Sequence, residues 1–132
     1  MDNNQNYSIR TDLAIETREI YKKAQKIDDE VPGVETVVDD NDKDIIVTRV
    51  KITSDEGEKA LGKVMGSYIT FEIPKLKNEE EELNKKVEEK ISNVIKELSN
   101  LNKDDTVLVV GLGNAAITAD ALGPKVVEGL EV

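Results

Sequence analysis

The chain has 132 residues and a formal net charge of -10, and it contains neither cysteine nor histidine. Disulfides, thiolate or imidazole metal sites and histidine-dependent nucleophiles are therefore excluded, which leaves carboxylates for any acid–base chemistry. The negative charge and the 3% aromatic content argue against direct binding of nucleic acid, because phosphates repel such a surface and stacking needs aromatic faces. No apolar run approaches the roughly 20 residues of a membrane-spanning helix, so we expect a soluble, cytoplasmic protein.

The pattern in the first third of the chain indicates a polar N-terminal segment followed by a helix. Residues 1–10 are polar and give no periodic pattern. Asp12 is placed to cap a helix that ends before Pro32-Gly33. Its expected apolar face consists of Leu13, Ile20, Ala24 and Ile27. The following stretch "VVDDNDKD" is interpreted as an acidic turn.

Two strands and a long helix are expected next. Residues 45–53, "IIVTRVKIT", and 67–73, "SYITFEI", are rich in β-branched and aromatic residues and could pair in antiparallel fashion. Residues 78–101 carry acidic residues in their first turn and an apolar stripe at helical spacing. The stripe consists of Leu83, Val87, Ile91, Val94, Ile95, Leu98 and Leu101.

The nearly continuous apolar run at 106–112, "TVLVVGL", predicts a strand buried on both faces, as in α/β proteins. Such a strand needs neighbours on both edges, and only two other strands are apparent. We therefore expect an α/β fold that is the truncated front part of a larger domain, with a buried central strand at 106–112 and flanking helices.

The glycines after this strand allow two interpretations. "GLGNAA" fits the dinucleotide fingerprint G-x-G-x-x-G/A, with Gly111 and Gly113 in its first two places. In that fold the helix starts at the turn, which would place Pro124 inside it, where proline is costly. The acid that would bind the ribose is also missing, since the only candidate, Glu131, falls on the helix.

A helix that starts at about Gly123 places Pro124 near the first helical position, where proline is favoured. Residues 112–122 then form a loop at the carboxyl end of a strand, which is where open α/β sheets bind ligands. Asp120 lies just before the helix, near its positive end. Its carboxylate either caps the helix or serves a site.

The segment "VGLGNAAITADALGPKVVEGL" closely resembles the corresponding part of the spore germination protease family, endopeptidases that degrade small acid-soluble spore proteins. It is more distantly similar to the hydrogenase maturation endopeptidases. "YSIRTDLAIET", residues 7–17, resembles the zymogen processing region of the first family, and "EGEKALGKVMGSYITFE" resembles its middle segment. The resemblance extends over nearly the whole chain.

The resemblance implies an acid-type endopeptidase that works with two aspartates, the first matched by Asp120 and the second lying outside this sequence. Gly111, Gly113 and Asn114 would shape the active-site turn. It also implies a zymogen with a propeptide at 1–12, cut between Asp12 and Leu13, and a peptidase domain that begins at residue 13. The resemblance further implies a homotetramer in the spore core that acts on small acid-soluble spore proteins without a cofactor. Because two carboxylates must share a proton, we expect the 132 residues alone to be inactive.

Two alternatives remain from the sequence. One is a nucleotide-binding module built on "GLGNAA", and the other is a noncatalytic acidic interaction domain that docks through the 78–101 helix.

The hydrogenase-processing relatives use a carboxylate at the place of Asp120 to recognise nickel. A single aspartate without histidine or cysteine argues against a tight metal site here.

Overall fold

A computed structural model describes residues 11–76 and 80–130 of the chain. It divides into two compact units, Met1–Ile91 and Ser92–Val132. Residues 1–10 of the predicted propeptide 1–12, and the ribose-acid candidate Glu131, lie outside the described residues. The helices are α1 (Ala14–Gln25), α2 (Asp55–Leu61), α3 (Glu81–Ser99) and α4 (Leu122–Glu128), and the strands are β1 (Val34–Asp42), β2 (Ile45–Ile52) and β3 (Gly66–Glu72).

The first unit is built around an antiparallel sheet in the order β1-β2-β3. Val50 of β2 pairs with Thr36 of β1 and with Tyr68 of β3. The predicted antiparallel pairing of 45–53 with 67–73 is confirmed. β1 is not apparent from the sequence, because the acidic residues in its second half are typical of a turn. Charged residues are common on edge strands, where they hinder pairing with another chain, and β1 is such an edge.

The two faces of the sheet bury two separate apolar clusters. Val50 and Ile52 of β2 join one cluster with Ala14 of α1 and Leu61 of α2. Ile45 and Val47 of the same strand join the other with side chains of α3, Leu83 and Val87. Because successive side chains of a strand point to opposite faces, α1 and α2 cover one face and the start of α3 covers the other. The α/β fold class expected from the sequence is confirmed.

Helix α1 starts and faces the core differently from the prediction. Its N-cap is Leu13, without a side-chain hydrogen bond, so the prediction that Asp12 caps the helix is wrong. Instead, the Thr11 hydroxyl accepts from the Leu13 amide at 3.3 Å. The buried residues of α1 are Ala14, Thr17 and Arg18, whereas Leu13 and Ile20 of the predicted apolar face are exposed. The burial of Arg18 is compensated by two hydrogen bonds to Glu30, at 2.5 and 3.2 Å, which an apolar-face prediction cannot anticipate.

The short helix α2 has a well-formed cap at each end. The Ser54 side chain accepts from the Gly57 amide at 3.4 Å at the N-terminus. Gly62, with φ of 62°, ends the helix in the left-handed conformation that favours glycine. The chain then turns through Lys63 and Val64 to β3.

Helix α3 confirms the predicted long amphipathic helix, but its stripe is only partly buried. Leu83, Val87 and Val94 are buried. The other members of the predicted stripe are exposed: Ile91, Ile95, Leu98 and Leu101.

The segment 106–112 differs from the prediction. Among the described residues it belongs to no strand ladder, and Leu108 and Leu112 are 87% and 83% exposed. The expectation of a buried strand is therefore wrong for these residues by themselves. The three described strands pair only with one another, so none of them is a hydrogen-bonded neighbour of 106–112.

Candidate functional site

The loop 113–120 in the second unit is closed by hydrogen bonds of its own backbone. The Asn114 amide donates to the Asp120 carbonyl at 2.9 Å, and the Asp120 amide donates to the Ile117 carbonyl at 2.9 Å. Asn114 also accepts twice, through its carbonyl from the Ile117 amide at 3.1 Å and through Oδ1 from the Ala116 amide at 3.0 Å. Asn114 thereby organises the turn from its first residue to Asp120.

Glycine is required in this loop because two backbone segments meet at very short range. A Cβ on Gly113 would lie 2.1 Å from the Asp120 carbonyl oxygen, and Gly113 also has φ of 140°. A Cβ on Gly111 would lie 2.1 Å from the Gly123 carbonyl oxygen. The reciprocal contact holds as well, since a Cβ on Gly123 would lie 2.2 Å from the Leu112 carbonyl oxygen. The role of Gly123 in this approach is not apparent from the sequence, where it reads only as the start of a helix.

These contacts weaken the interpretation of the turn as a phosphate cradle. A cradle presents free backbone N–H groups to the phosphate. Here the amides of Asn114, Ala116 and Ile117 already donate within the loop. The space beside Gly111 and Gly113 is likewise occupied by the chain's own carbonyl groups.

The helix after the loop begins where proline is tolerated. α4 starts at Leu122, so Pro124 is its third residue, and the first helical bond runs from the Lys125 amide to the Ala121 carbonyl at 3.1 Å. A residue this near the N-terminus has no helical acceptor for its amide, so proline forfeits no bond. The N-cap is Ala121, without a side-chain hydrogen bond. The alternative that Asp120 caps this helix is therefore wrong.

Asp120 ends a 3-10 helix, Thr118–Asp120, two positions before α4. Its backbone is held on both sides by the loop, whereas its side chain is exposed. The next residue, Ala121, is 1% exposed, which anchors the chain directly behind it. The geometry thus fixes the position of Asp120 and leaves its carboxylate accessible.

The carboxylates with clearly shifted pKa values lie elsewhere and do not form a site. Hydrogen bonds from Asn41, with a smaller contribution from Lys90, lower the pKa of Asp39. The hydrogen bond and charge of Lys75 lower the pKa of Asp44. A lowered carboxyl pKa opposes a role as a general acid near neutral pH. The described residues contain no group of three or more acidic side chains able to hold a metal ion.

The predicted processing bond, Asp12–Leu13, lies in the first unit at the start of α1. Leu13 is extended, with φ of -84° and ψ of 121°. The sequence did not reveal that Lys63 lies beside this bond, where its ammonium donates to the carbonyls of Thr11 and Asp12 at 3.0 and 3.1 Å. No sequence pattern signals this contact, because the two segments lie about fifty positions apart.

Comparison with known proteins identifies the chain at the level of the family. The family model described as germination protease matches residues 14–132. Germination proteases of Caldanaerobacter subterraneus subsp. tengcongensis and Clostridium perfringens are 48% and 44% identical to the chain over 124 and 126 residues. That of Bacillus mycoides is 37% identical over 131 residues.

The matches include 94% to 96% of the residues of this chain. They cover only 35% to 38% of the length of the three relatives. In the described residues, no helix has the length and apolar character needed to cross a membrane. The family model covers well over half of the residues. The chain belongs to the germination protease family.

Proposed function

We propose that these residues are the N-terminal part of an endopeptidase that starts the degradation of small acid-soluble spore proteins during germination. Asp120 supplies one of its two catalytic carboxylates. The observation that carries the proposal is the loop 113–120, which fixes the backbone of Asp120 without using its carboxylate as a helix cap. Membership of the germination protease family supports the reaction class.

The chemistry requires a second carboxylate. Two neighbouring carboxylates share a proton, so that one activates water as a base while the other protonates the leaving nitrogen. Asp120 provides one such group, and its partner would come from the part of a family-length chain that these residues do not include. The 132 residues alone would accordingly be inactive. In a family-length chain, meaning these residues continued to the length of the relatives, the pair would be complete.

The same proposal includes a zymogen and its assembly. Residues 1–12 would form the propeptide, removed by cleavage between Asp12 and Leu13, and the peptidase domain would begin at residue 13. The family-length enzyme would act as a homotetramer in the spore core. The sequence Asp12-Leu13-Ala14, exposed at its first two residues, supports a bond that a protease can reach.

The test is digestion of a small acid-soluble spore protein by a family-length chain made without residues 1–12. We expect cleavage at a few bonds that follow an acidic residue, and no cleavage of an unrelated folded protein. Mass spectrometry of the products identifies each bond. A family-length chain without residues 1–12 that folds but leaves the spore protein intact would overturn the proposed substrate, and the 132-residue chain serves as the inactive control.

The nucleotide-binding alternative receives less support. Its phosphate would need the amides that the loop uses internally, and its helix would need to begin at the glycines. No observation in the described residues favours the noncatalytic interaction domain over the peptidase.

A further inference from the structure

The carbonyl oxygen of the bond predicted to be cut in processing already has a cationic hydrogen-bond donor. Lys63 Nζ lies 3.1 Å from the carbonyl oxygen of Asp12 and 3.0 Å from that of Thr11. The first of these oxygens belongs to the Asp12–Leu13 peptide bond itself. Hydrolysis of a peptide bond places negative charge on this oxygen, and a donor aimed at it lowers the barrier.

The position of Lys63 is set by the structure around it. The left-handed Gly62 ends α2 and turns the chain so that Lys63 leaves the helix. On its other side the ammonium lies 5.9 Å from the centre of the Tyr68 ring, within the range of a cation–π contact. The Tyr68 hydroxyl in turn donates to the Val64 carbonyl at 2.7 Å, which ties β3 to this turn.

The leaving side of the bond is held independently of Lys63. The carbonyl of Leu13 accepts from the amide and the hydroxyl of Thr17, at 3.2 and 3.1 Å, and Thr17 is buried. The junction is thus fixed on both sides, by Lys63 before the bond and by α1 after it. The backbone of Leu13 is extended, and the side chains on the two sides of the bond, those of Asp12 and Leu13, are exposed.

We propose that Lys63 binds the scissile carbonyl during processing, holding the Thr11–Asp12 segment for hydrolysis of the Asp12–Leu13 bond. This inference rests on the proposed zymogen function. In the reaction, water adds to the carbonyl carbon of Asp12 while its oxygen takes up charge beside the Lys63 ammonium. The bond from this carbon to the Leu13 nitrogen then breaks. The nitrogen receives a proton, which leaves a carboxyl group on Asp12 and a free amine on Leu13.

The role ends with the cut. Once residues 1–12 leave, both carbonyl partners of Lys63 leave with them. A substitution of Lys63 should therefore impair processing and spare the cleavage of other substrates by the mature form. This separation distinguishes the proposed role from a general contribution of Lys63 to folding.

The experiment compares Lys63→Met with wild type in the family-length chain. Methionine keeps the length and apolar stem of the side chain but removes the ammonium. We expect processing to slow by roughly ten- to a hundredfold, the effect of losing a hydrogen bond from a charged group. Lys63→Arg, which keeps a cationic donor, should restore much of the rate. Lys59→Met, at an exposed lysine of α2, is the matched control and should process normally.

Processing is followed by mass spectrometry of the N-terminus, and each variant is also made without residues 1–12 to measure digestion of a spore protein. The inference predicts digestion unchanged by Lys63→Met in this shortened form. Normal processing of Lys63→Met, or an equal loss in both assays, would overturn it. Should Lys63→Met not fold, Lys63→Gln gives the same comparison. Wild type that is not cut at Asp12–Leu13 would instead refute the zymogen proposal, and this inference with it.

Discussion

At the residue scale, the loop that carries Asp120 depends on positions where no side chain fits. Gly113 has a positive φ, and a Cβ added to it would lie 2.1 Å from the Asp120 carbonyl oxygen. An alanine there must push the two backbone segments apart. The same carbonyl accepts the hydrogen bond of the Asn114 amide, so the displacement acts directly on the bond that closes the loop.

We therefore expect Gly113→Ala to open the loop. The strain of overpacking is about 1–3 kcal/mol, which should speed hydrogen exchange of the Asn114 amide by roughly ten- to a hundredfold. Gly129→Ala is the matched control, because the nearest atom to its added Cβ is 3.5 Å away and its φ of -83° suits alanine. Equal exchange in the two variants would show that the close approach does not constrain the loop.

Part of the site could be predicted from residues alone. Gly111, Gly113, Asn114 and Asp120 stand in one short segment, and the structure brings them into one loop. Lys63 could not be predicted, because its contact with Asp12 depends on how α2 ends and where β3 begins. The partner of Arg18 is of the same kind, since Glu30 meets it only after the chain has turned back. Local spacing thus predicts a turn but not a contact between distant segments.

At the scale of elements, the residue at which α4 starts distinguishes two interpretations of the segment before it, a loop that carries a carboxylate and a turn that binds a dinucleotide. The helix begins at Leu122, after the loop rather than at the glycines, and it has seven residues. The amides beside the glycines bond to the loop itself. A bound phosphate would have to break these bonds before it could gain any of its own.

It follows that NAD, FAD and ATP should leave the melting temperature of the chain unchanged. A ligand at free concentration L that binds only the folded state stabilises it by RT ln(1 + L/Kd) and so raises the melting temperature, which makes thermal unfolding at sub-millimolar ligand a direct measurement. Buffer of matched ionic strength provides the control. A saturable increase with any of the three would return the glycine turn to the nucleotide-binding class.

The elements that the sequence failed to predict have identifiable causes. The sequence predicts an acidic turn over the second half of β1 because its last four residues, 39–42, are polar or acidic, yet pairing with β2 extends through Asp42. The buried face of α1 was misplaced because Thr17 and Arg18 are polar and still face inward. The strand pair 45–53 and 67–73 and the long helix were predictable, since their apolar patterns coincide with burial on the sheet.

At the scale of the whole molecule, the apolar segment 106–112 is the largest mismatch between sequence and burial. Its five large apolar residues are all exposed: Val107, Leu108, Val109, Val110 and Leu112. Exposed apolar backbone with unpaired edges tends to recruit another chain. These residues cover 36% and 38% of the length of two relatives, and we propose that strands in the rest of a family-length chain pair with this segment.

The 132-residue chain should therefore self-associate through this segment. Sedimentation at increasing concentration should show species larger than the monomer, and the double change Leu108→Glu with Val110→Glu should shift them toward the monomer. Val64→Glu with Met65→Glu places the same two charges on other exposed apolar residues and should have no such effect. A wild-type chain that stays monomeric, with the amides of 106–112 protected from exchange, would show that the segment is already covered.

The central claim is that the loop exists to present the carboxylate of Asp120, and Asp120→Asn in a family-length, processed chain tests it most directly. Asparagine keeps the size of the side chain but cannot act as a base or share a proton. Because this side chain is exposed and does not cap α4, the melting temperature should not change. The account predicts that kcat/KM for cleavage of a small acid-soluble spore protein falls by at least roughly a hundredfold, the usual loss for an acid–base group. An Asp120→Asn enzyme that digests its substrate at the wild-type rate would contradict the account.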